Sequence, residues 1–114
     1  MAELEIFEYE GEDYDPTVAY DKWLVALANY SPRFDRNNFS AMERHLETDE
    51  VFVLLSGTAS LVIGDDKKIT DLEIGKIYNV KRGVWHQVFI DKGSKVLIVE
   101  NSDTTKENSE YKEI

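Results

Sequence analysis

The chain has 114 residues, enough for one domain with a hydrophobic core and too few for two. It contains no cysteine, which excludes disulfides and thiolate metal ligands. Its formal net charge of −10 argues against nucleic acid or an anionic membrane surface as a partner. Without a secretory signal in the first residues or an apolar run long enough to span a membrane, we expect a single cytoplasmic domain over residues 1–114.

The first segment of the chain is strongly acidic. Residues 1–15 contain seven acidic and no basic side chains. Blocks of like charge usually stay hydrated, so residues 1–20 are predicted to form a solvated arm. The alternative function of this segment is docking to a basic partner.

Short apolar runs separated by glycine-containing turns predict β-strands through the rest of the chain. The predicted strands cover residues 23–30, 39–45, 50–56, 58–63, 68–72, 77–80, 85–90 and 95–100. Residues 17–30 also fit a helix in part, but Pro32 follows closely and a capping pattern is absent. Many short strands with such turns predict a sandwich or barrel over 21–100, followed by a polar tail over 101–114.

Two of these segments, 50–56 and 84–90, are apolar on both strand faces. A strand with one solvated face would alternate between apolar and polar residues, so these strands need a cover on each side. One cover can come from another part of this chain and the second from an identical subunit. We therefore predict a homodimer.

The only two histidines lie among residues that can bind metal. Glu43 and His45 are two positions apart, so a strand presents both on one face, and Glu50 begins the next strand after a short turn. His86 must reach them by long-range strand pairing. Two imidazoles and two carboxylates suit Fe(II), Mn(II), Ni(II), Co(II) or Zn(II). The metal-free alternative is a salt-bridged cluster in which the carboxylates raise the histidine pKa values.

The spacing of these residues resembles the two sequence motifs of the cupin superfamily. The first motif, G-x5-H-x-H-x3,4-E-x6-G, is matched by Glu43-x-His45-x4-Glu50-x6-Gly57. The second, G-x5-P-x-G-x2-H-x3-N, resembles Gly75-x5-Lys81-x-Gly83-x2-His86-x3-Ile90, in which Lys81 replaces the usual proline and Ile90 the usual asparagine. Together the two matches cover roughly residues 41–90, and a linked pair of motifs is far more specific than one alone.

This resemblance implies an all-β double-stranded β-helix, also called a jelly roll, with metal ligands at inward-facing strand positions. It places His45, Glu50 and His86 on the second, third and fourth ligand positions of the family. Glu43 falls on the first, where histidine is usual. Arg44 and Arg82 flank the motifs; the parity of Arg44 turns it away from His45, whereas Arg82 precedes its strand and is a candidate clamp for a carboxylate or phosphate at the barrel mouth.

Three functions fit these residues. The first is a metal-dependent enzyme of the dioxygenase, isomerase or lyase type that acts on a small polar molecule. The second is a sensor or binding module that holds a small ligand in the same pocket, since a fold does not imply a function. The third, a metal-free sugar-epimerase-like protein with a histidine base, fits worst because the spacing shows no Tyr–His or Asp–His pair.

Overall fold

The computed structural model describes residues 3–102 and 108–114. Within these ranges the chain forms ten strands: β1 (Tyr14–Tyr20), β2 (Trp23–Asn29), β3 (Ala41–His45), β4 (Glu50–Ser56), β5 (Ala59–Ile63), β6 (Lys68–Asp71), β7 (Tyr78–Val80), β8 (His86–Ile90), β9 (Lys95–Asn101) and β10 (Ser109–Glu113). Short 3-10 turns at Pro32–Phe34 and Arg36–Asn38 connect β2 to β3. All eight predicted strands form, and residues 17–30 contain the end of β1, a turn and β2 rather than a helix.

The strands are arranged in two five-stranded antiparallel sheets. The first sheet has the order β1-β2-β9-β4-β7 and the second the order β10-β3-β8-β5-β6. Their inner faces meet in one core, in which Phe52 and Ile98 of the first sheet lie with Leu61 and Ile90 of the second. The all-β prediction is thus confirmed. In the described part of the chain there is no helix of the length and hydrophobicity needed to cross a membrane.

The sequence pattern missed two strands, and both lie at sheet edges. The first, β1, falls inside the segment predicted as an acidic arm (1–20); it contains Pro16 and has a register shift between Asp15 and Val18, irregularities that edge strands tolerate. The second, β10, falls inside the predicted polar tail (101–114), of which residues 103–107 lie outside the described residues. Its polar sequence is held on β3 by backbone pairing and by an ion pair between Glu110 and Arg44.

The two apolar faces of β8 are both covered by this chain. Phe89 on the outer face is 3% exposed, and the Phe39 ring packs edge-on against it at 5.2 Å between centroids. Met42 and Val62 are buried in the same cluster. The connection between β2 and β3 therefore provides this cover, and a second subunit is not needed for the second sheet.

Gly57 shows how tightly the turn after β4 is packed. Its φ of +78° is left-handed, and a Cβ at this position would lie 2.8 Å from Ser94 Cα. Gly75 also has a positive φ, +88°, but its Cβ would meet no described atom within 4 Å.

We expect Gly57→Ala to lower the free energy of unfolding by about 2–4 kcal/mol, because backbone strain and a steric clash add. Gly75→Ala is the matched control and should cost about 1 kcal/mol, from backbone strain alone. Urea denaturation of both variants measures the difference. Equal losses would contradict the steric explanation for Gly57.

Candidate metal centre

The structure brings the four predicted metal-ligand residues together. Glu43 and His45 lie on β3, and Glu43 is in register with His86 on β8 of the same sheet. Glu50 begins β4 and comes from the opposite sheet. One donor atom from each of the four residues lies within 4.8 Å of the others. The cluster therefore forms between the two sheets, as strand parity and long-range pairing predict.

The distances between donor atoms match those within one coordination sphere. Glu50 Oε1 lies 3.0 Å from His86 Nε2 and 3.1 Å from His45 Nε2, and Glu43 Oε1 lies 3.9 Å from His86 Nε2. Around an octahedral ion with bonds of about 2.1 Å, adjacent donors are about 3.0 Å apart and opposite donors about 4.2 Å. These three distances lie within that range, and all four donors lie within 4.8 Å of one another, so small side-chain movements would bring them onto one ion.

Both imidazoles are oriented by a hydrogen bond at Nδ1. The Nδ1–H of His86 donates to the carbonyl of Val84 at 3.0 Å, and His45 Nδ1 is paired with Ser109 Oγ at 2.8 Å. Such partners usually hold a metal-binding histidine so that its other nitrogen faces the ion. His45 Nε2 is buried and makes no hydrogen bond within the described residues, despite its closeness to Glu50. A buried nitrogen that lies near a carboxylate without a hydrogen bond fits a metal ligand.

When no ion is bound, Glu50 and the two histidines stabilise each other in their charged forms. Burial opposes the charge on Glu50, but the two histidines outweigh it and lower the pKa of Glu50 to about 2. Burial likewise opposes protonation of His45 and His86, but Glu50 outweighs it and raises both histidine pKa values. Burial raises the pKa of Glu43, and the charge of Glu50 adds to the effect.

Further residues that the sequence reasoning missed line the same cavity, which has a volume of about 300 Å³. Glu100 on β9 faces inward, and the phenol of Tyr14 on β1 donates to its Oε1 at 2.5 Å. Burial and then the charge of Glu50 raise the pKa of Glu100 to about 7. Alternation along β9 could have predicted that Glu100 faces inward, because Glu100 shares a strand face with the buried residues Val96 and Ile98. Tyr14 and Ser109 gave no such signal, because their edge strands lack an apolar pattern.

The arginine at this cavity is Arg33, not the predicted candidate. Arg33 precedes β3 in the connection from β2; its Nη2 lies 2.7 Å from Asp13 Oδ1, and its guanidinium stacks on the Phe34 ring. Arg82 lies exposed in a turn, outside the set of cavity-lining residues. Arg44 is on the outer side of its sheet, stacked on the Trp85 ring, as its parity predicts.

Comparison with solved structures identifies the fold. No family model matches the sequence, and no curated protein matches it. The chain is similar to a cupin-2 domain containing protein from Shewanella frigidimarina, with a TM-score of 0.63 and 20% identity over 82% of this chain and 84% of that one. The chain has the cupin fold. The cupin resemblance of the two sequence motifs is thus confirmed by the arrangement of the strands.

Two enzymes are also among the cupin-fold neighbours. Pac13 of Streptomyces, a nucleoside dehydratase solved with uridine, has a TM-score of 0.67 and 9% identity over 93% of this chain and 83% of its own. Fe(II)-HppE has a TM-score of 0.52 and 22% identity over 68% of this chain and 40% of its own. At these identities the likeness shows the fold alone.

Glu43, the departure from the cupin motif, stays in the cluster. Its side chain is only 27% exposed, and its carboxylate faces His86 rather than the solvent. A carboxylate thus stands in the place where the family usually has an imidazole.

Without a bound ion, the cluster should make stability depend on pH. The raised histidine pKa values contribute stability below about pH 6.5, and this contribution is lost as the pH rises through those values. The raised pKa of Glu100 acts in the same direction. The lowered pKa of Glu50 contributes stability above about pH 4.5, which is lost only as the pH falls toward about 2.

We therefore expect the melting temperature of chelator-treated protein to fall as the pH rises from about 6 to about 9. Circular dichroism in buffers that contain a chelator measures this slope. Glu50→Gln is the control and should reduce the slope, because it removes the carboxylate that raises both histidine pKa values. A melting temperature that increases over this range would contradict the charge assignment.

Proposed function

We propose that this chain is a metal-dependent cupin that binds and transforms a small polar metabolite. The observation that carries the proposal is the set of four converging donors (Glu43, His45, Glu50 and His86), with His45 Nε2 buried and without a hydrogen-bond partner in the described structure. Two imidazoles and two carboxylates suit a divalent Fe, Mn, Ni, Co or Zn ion, whose charge the carboxylates balance. Such an ion supplies Lewis acidity and orients a molecule that offers it oxygen atoms.

The cavity next to the cluster has the dimensions and chemistry of a metabolite site. Its volume of about 300 Å³ is at the small end of the range for ligand sites. Phe52 and Ile98 form apolar walls, while Tyr14 and Glu100 offer hydrogen bonds to hydroxyl or amine groups. Arg33 also lines the cavity, where its guanidinium is paired with the Asp13 carboxylate. The reaction type stays open among dioxygenase, isomerase and lyase chemistry.

The named neighbours are consistent with this kind of site. The solved form of HppE is an Fe(II) protein with a substrate, and Pac13 was solved with uridine. Both names describe a small molecule at a cupin fold. They support a small-molecule substrate for this chain and leave its identity open.

The second candidate is a metal-free binding or sensor module. It is favoured by the two ion pairs that Glu50 already makes with His45 and His86 without an ion. The glutamate at the first ligand position, where histidine is usual, also favours it. Such a module would use the same cavity to hold a small ligand without turnover.

We also propose that the chain works in the cytoplasm as a homodimer and has neither nucleic acid nor a membrane as a partner. The absence of cysteine fits a reducing compartment, and the net charge of −10 disfavours polyanions. A broad apolar area on the outside of the first sheet supports the dimer.

Elemental analysis of protein purified without chelator should find about one divalent ion per chain. His86→Ala should abolish binding, whereas Lys68→Ala, at an exposed position on β6 of the same sheet, should retain the ion. Adding excess ion to stripped protein should raise the melting temperature by several degrees. If no ion is found and none of Fe, Mn, Ni, Co or Zn raises the melting temperature, the metal proposal is wrong and the binding module is favoured.

Ser109→Ala should weaken metal binding by about ten-fold or more, because the partner that orients the His45 ring is lost. Isothermal titration of stripped protein with Zn(II) or Mn(II) measures the change. Ser56→Ala, at an exposed position outside the cavity, is the matched control and should bind like the original chain. Equal affinities for the two variants would show that Ser109 does not orient a ligand.

A further inference from the structure

The outer surface of the first sheet carries two rows of apolar side chains. Strand register aligns the middle of β2, β9 and β4 into the rows Val25–Val99–Val51 and Leu27–Leu97–Val53. We call these six residues the outer face. All of them are partly exposed, whereas the inward residues between them on the same strands are buried.

This outer face contains no charged residue, in a chain of which 32% is charged. The apolar area extends beyond the six residues, because Val18 on β1 is in register with Val25, and Trp23 and Leu55 are 47% and 42% exposed. On the β1 side of the second row it ends at Asp15, which is in register with Leu27. The solvated side of an antiparallel sheet normally alternates toward polar side chains. An exposed apolar area of this kind on a single chain indicates a surface that another protein covers.

The N-terminal segment, residues 3–12, is attached at one end of the outer face. Asn29 Nδ2 donates to the carbonyls of Tyr9 and Gly11 at 3.0 and 2.7 Å. Lys95, which is in register with Asn29, donates from Nζ to the same Tyr9 carbonyl. The outward parity of Asn29 and Lys95 continues the rows of the outer face, so this segment begins where the rows end.

Beyond this attachment the segment carries three apolar side chains that this chain does not bury. Leu4, Ile6 and Phe7 are 57%, 84% and 47% exposed. They alternate with glutamates that would keep the segment soluble. Two separate apolar elements, the outer face and this segment, are therefore adjacent and both lack a partner among the described residues.

We propose that a second copy of this chain covers both elements, with the outer faces of the two protomers in contact and the N-terminal segment of each protomer packed on its partner. A two-fold dimer requires a surface that is complementary to itself, and an uncharged apolar face meets that requirement. Two chains of net charge −10 repel each other, which favours contact through the outer face, whose six residues carry no carboxylate, over the more acidic parts of the surface. A basic partner would instead need acidic groups on this face.

The area explains why the N-terminal segment is part of the interface. Three strands about 4.8 Å apart, with outward residues about 6.7 Å apart along each strand, give the two rows an area of roughly 200 Å². A stable interface removes about 800 Å² from each partner. The side chains of Leu4, Ile6 and Phe7 can supply much of the missing area.

The inference rests on the proposed homodimer and is independent of the metal site, which lies within one chain.

Sedimentation velocity of the full chain at micromolar concentration tests the proposal. The unmodified chain should sediment as a dimer, and Val99→Lys should raise the dimer dissociation constant by at least about 100-fold, because it places two charges at the centre of the interface. The double variant Ile6→Ser with Phe7→Ser should weaken the dimer by at least about ten-fold. Ile69→Lys, at an exposed apolar position of the other sheet, is the matched control and should remain dimeric.

A monomeric unmodified chain, or a Val99→Lys variant that dimerises normally, would overturn the proposal. If circular dichroism shows that Val99→Lys is unfolded, the Ile6 and Phe7 variant decides instead, and unchanged dimerisation of that variant overturns the role of the segment. Metal content is measured on the same samples. A monomer that holds the ion would leave the metal proposal intact, and a dimer that holds none would leave the interface intact.

Discussion

The buried carboxylate of Glu50 is the interaction on which the site depends. It is 5% exposed and projects from the first sheet toward two histidines on the second. An isolated carboxylate in such a place would cost several kcal/mol, so it must be matched by positive charge. Protonated histidines or a metal ion can both provide that charge. The histidines of the site can therefore take up protons, and in the proposed function an ion would compete with those protons.

Two edge strands, one from each sheet, supply further side chains to the site around Glu50. The first edge strand, β1, brings Tyr14 to the cavity, and the opposite edge strand, β10, brings Ser109 to the His45 ring. Both strands are held by backbone pairing rather than by a pronounced apolar pattern of their own. Ends of the chain that look like polar arms in the sequence thus place hydrogen-bonding groups around the cluster.

The sequence was sufficient to predict the eight strands from β2 to β9 and the four clustered residues. Apolar runs with glycine turns specify strands such as β4 and β8 directly, and the two-residue spacing of Glu43 and His45 specifies a shared face. The pairing of β10 with β3 depends on contacts more than sixty positions apart, with only polar side chains to indicate them. Ser109 could not be found for that reason. Arg33 was not predicted because it lies in the connection between β2 and β3, where strand alternation does not indicate which way a side chain points.

The most direct test is anomalous X-ray diffraction from crystals grown with Mn(II) or Co(II), with data collected at the absorption edge of the metal. If the four residues form a metal centre, one strong anomalous peak should lie about 2.1 Å from His45 Nε2 and His86 Nε2, with carboxylate oxygens of Glu50 and Glu43 completing the protein ligands. A well-ordered site with no anomalous peak, in which Glu50 still pairs with both imidazoles, would contradict the proposed metal centre.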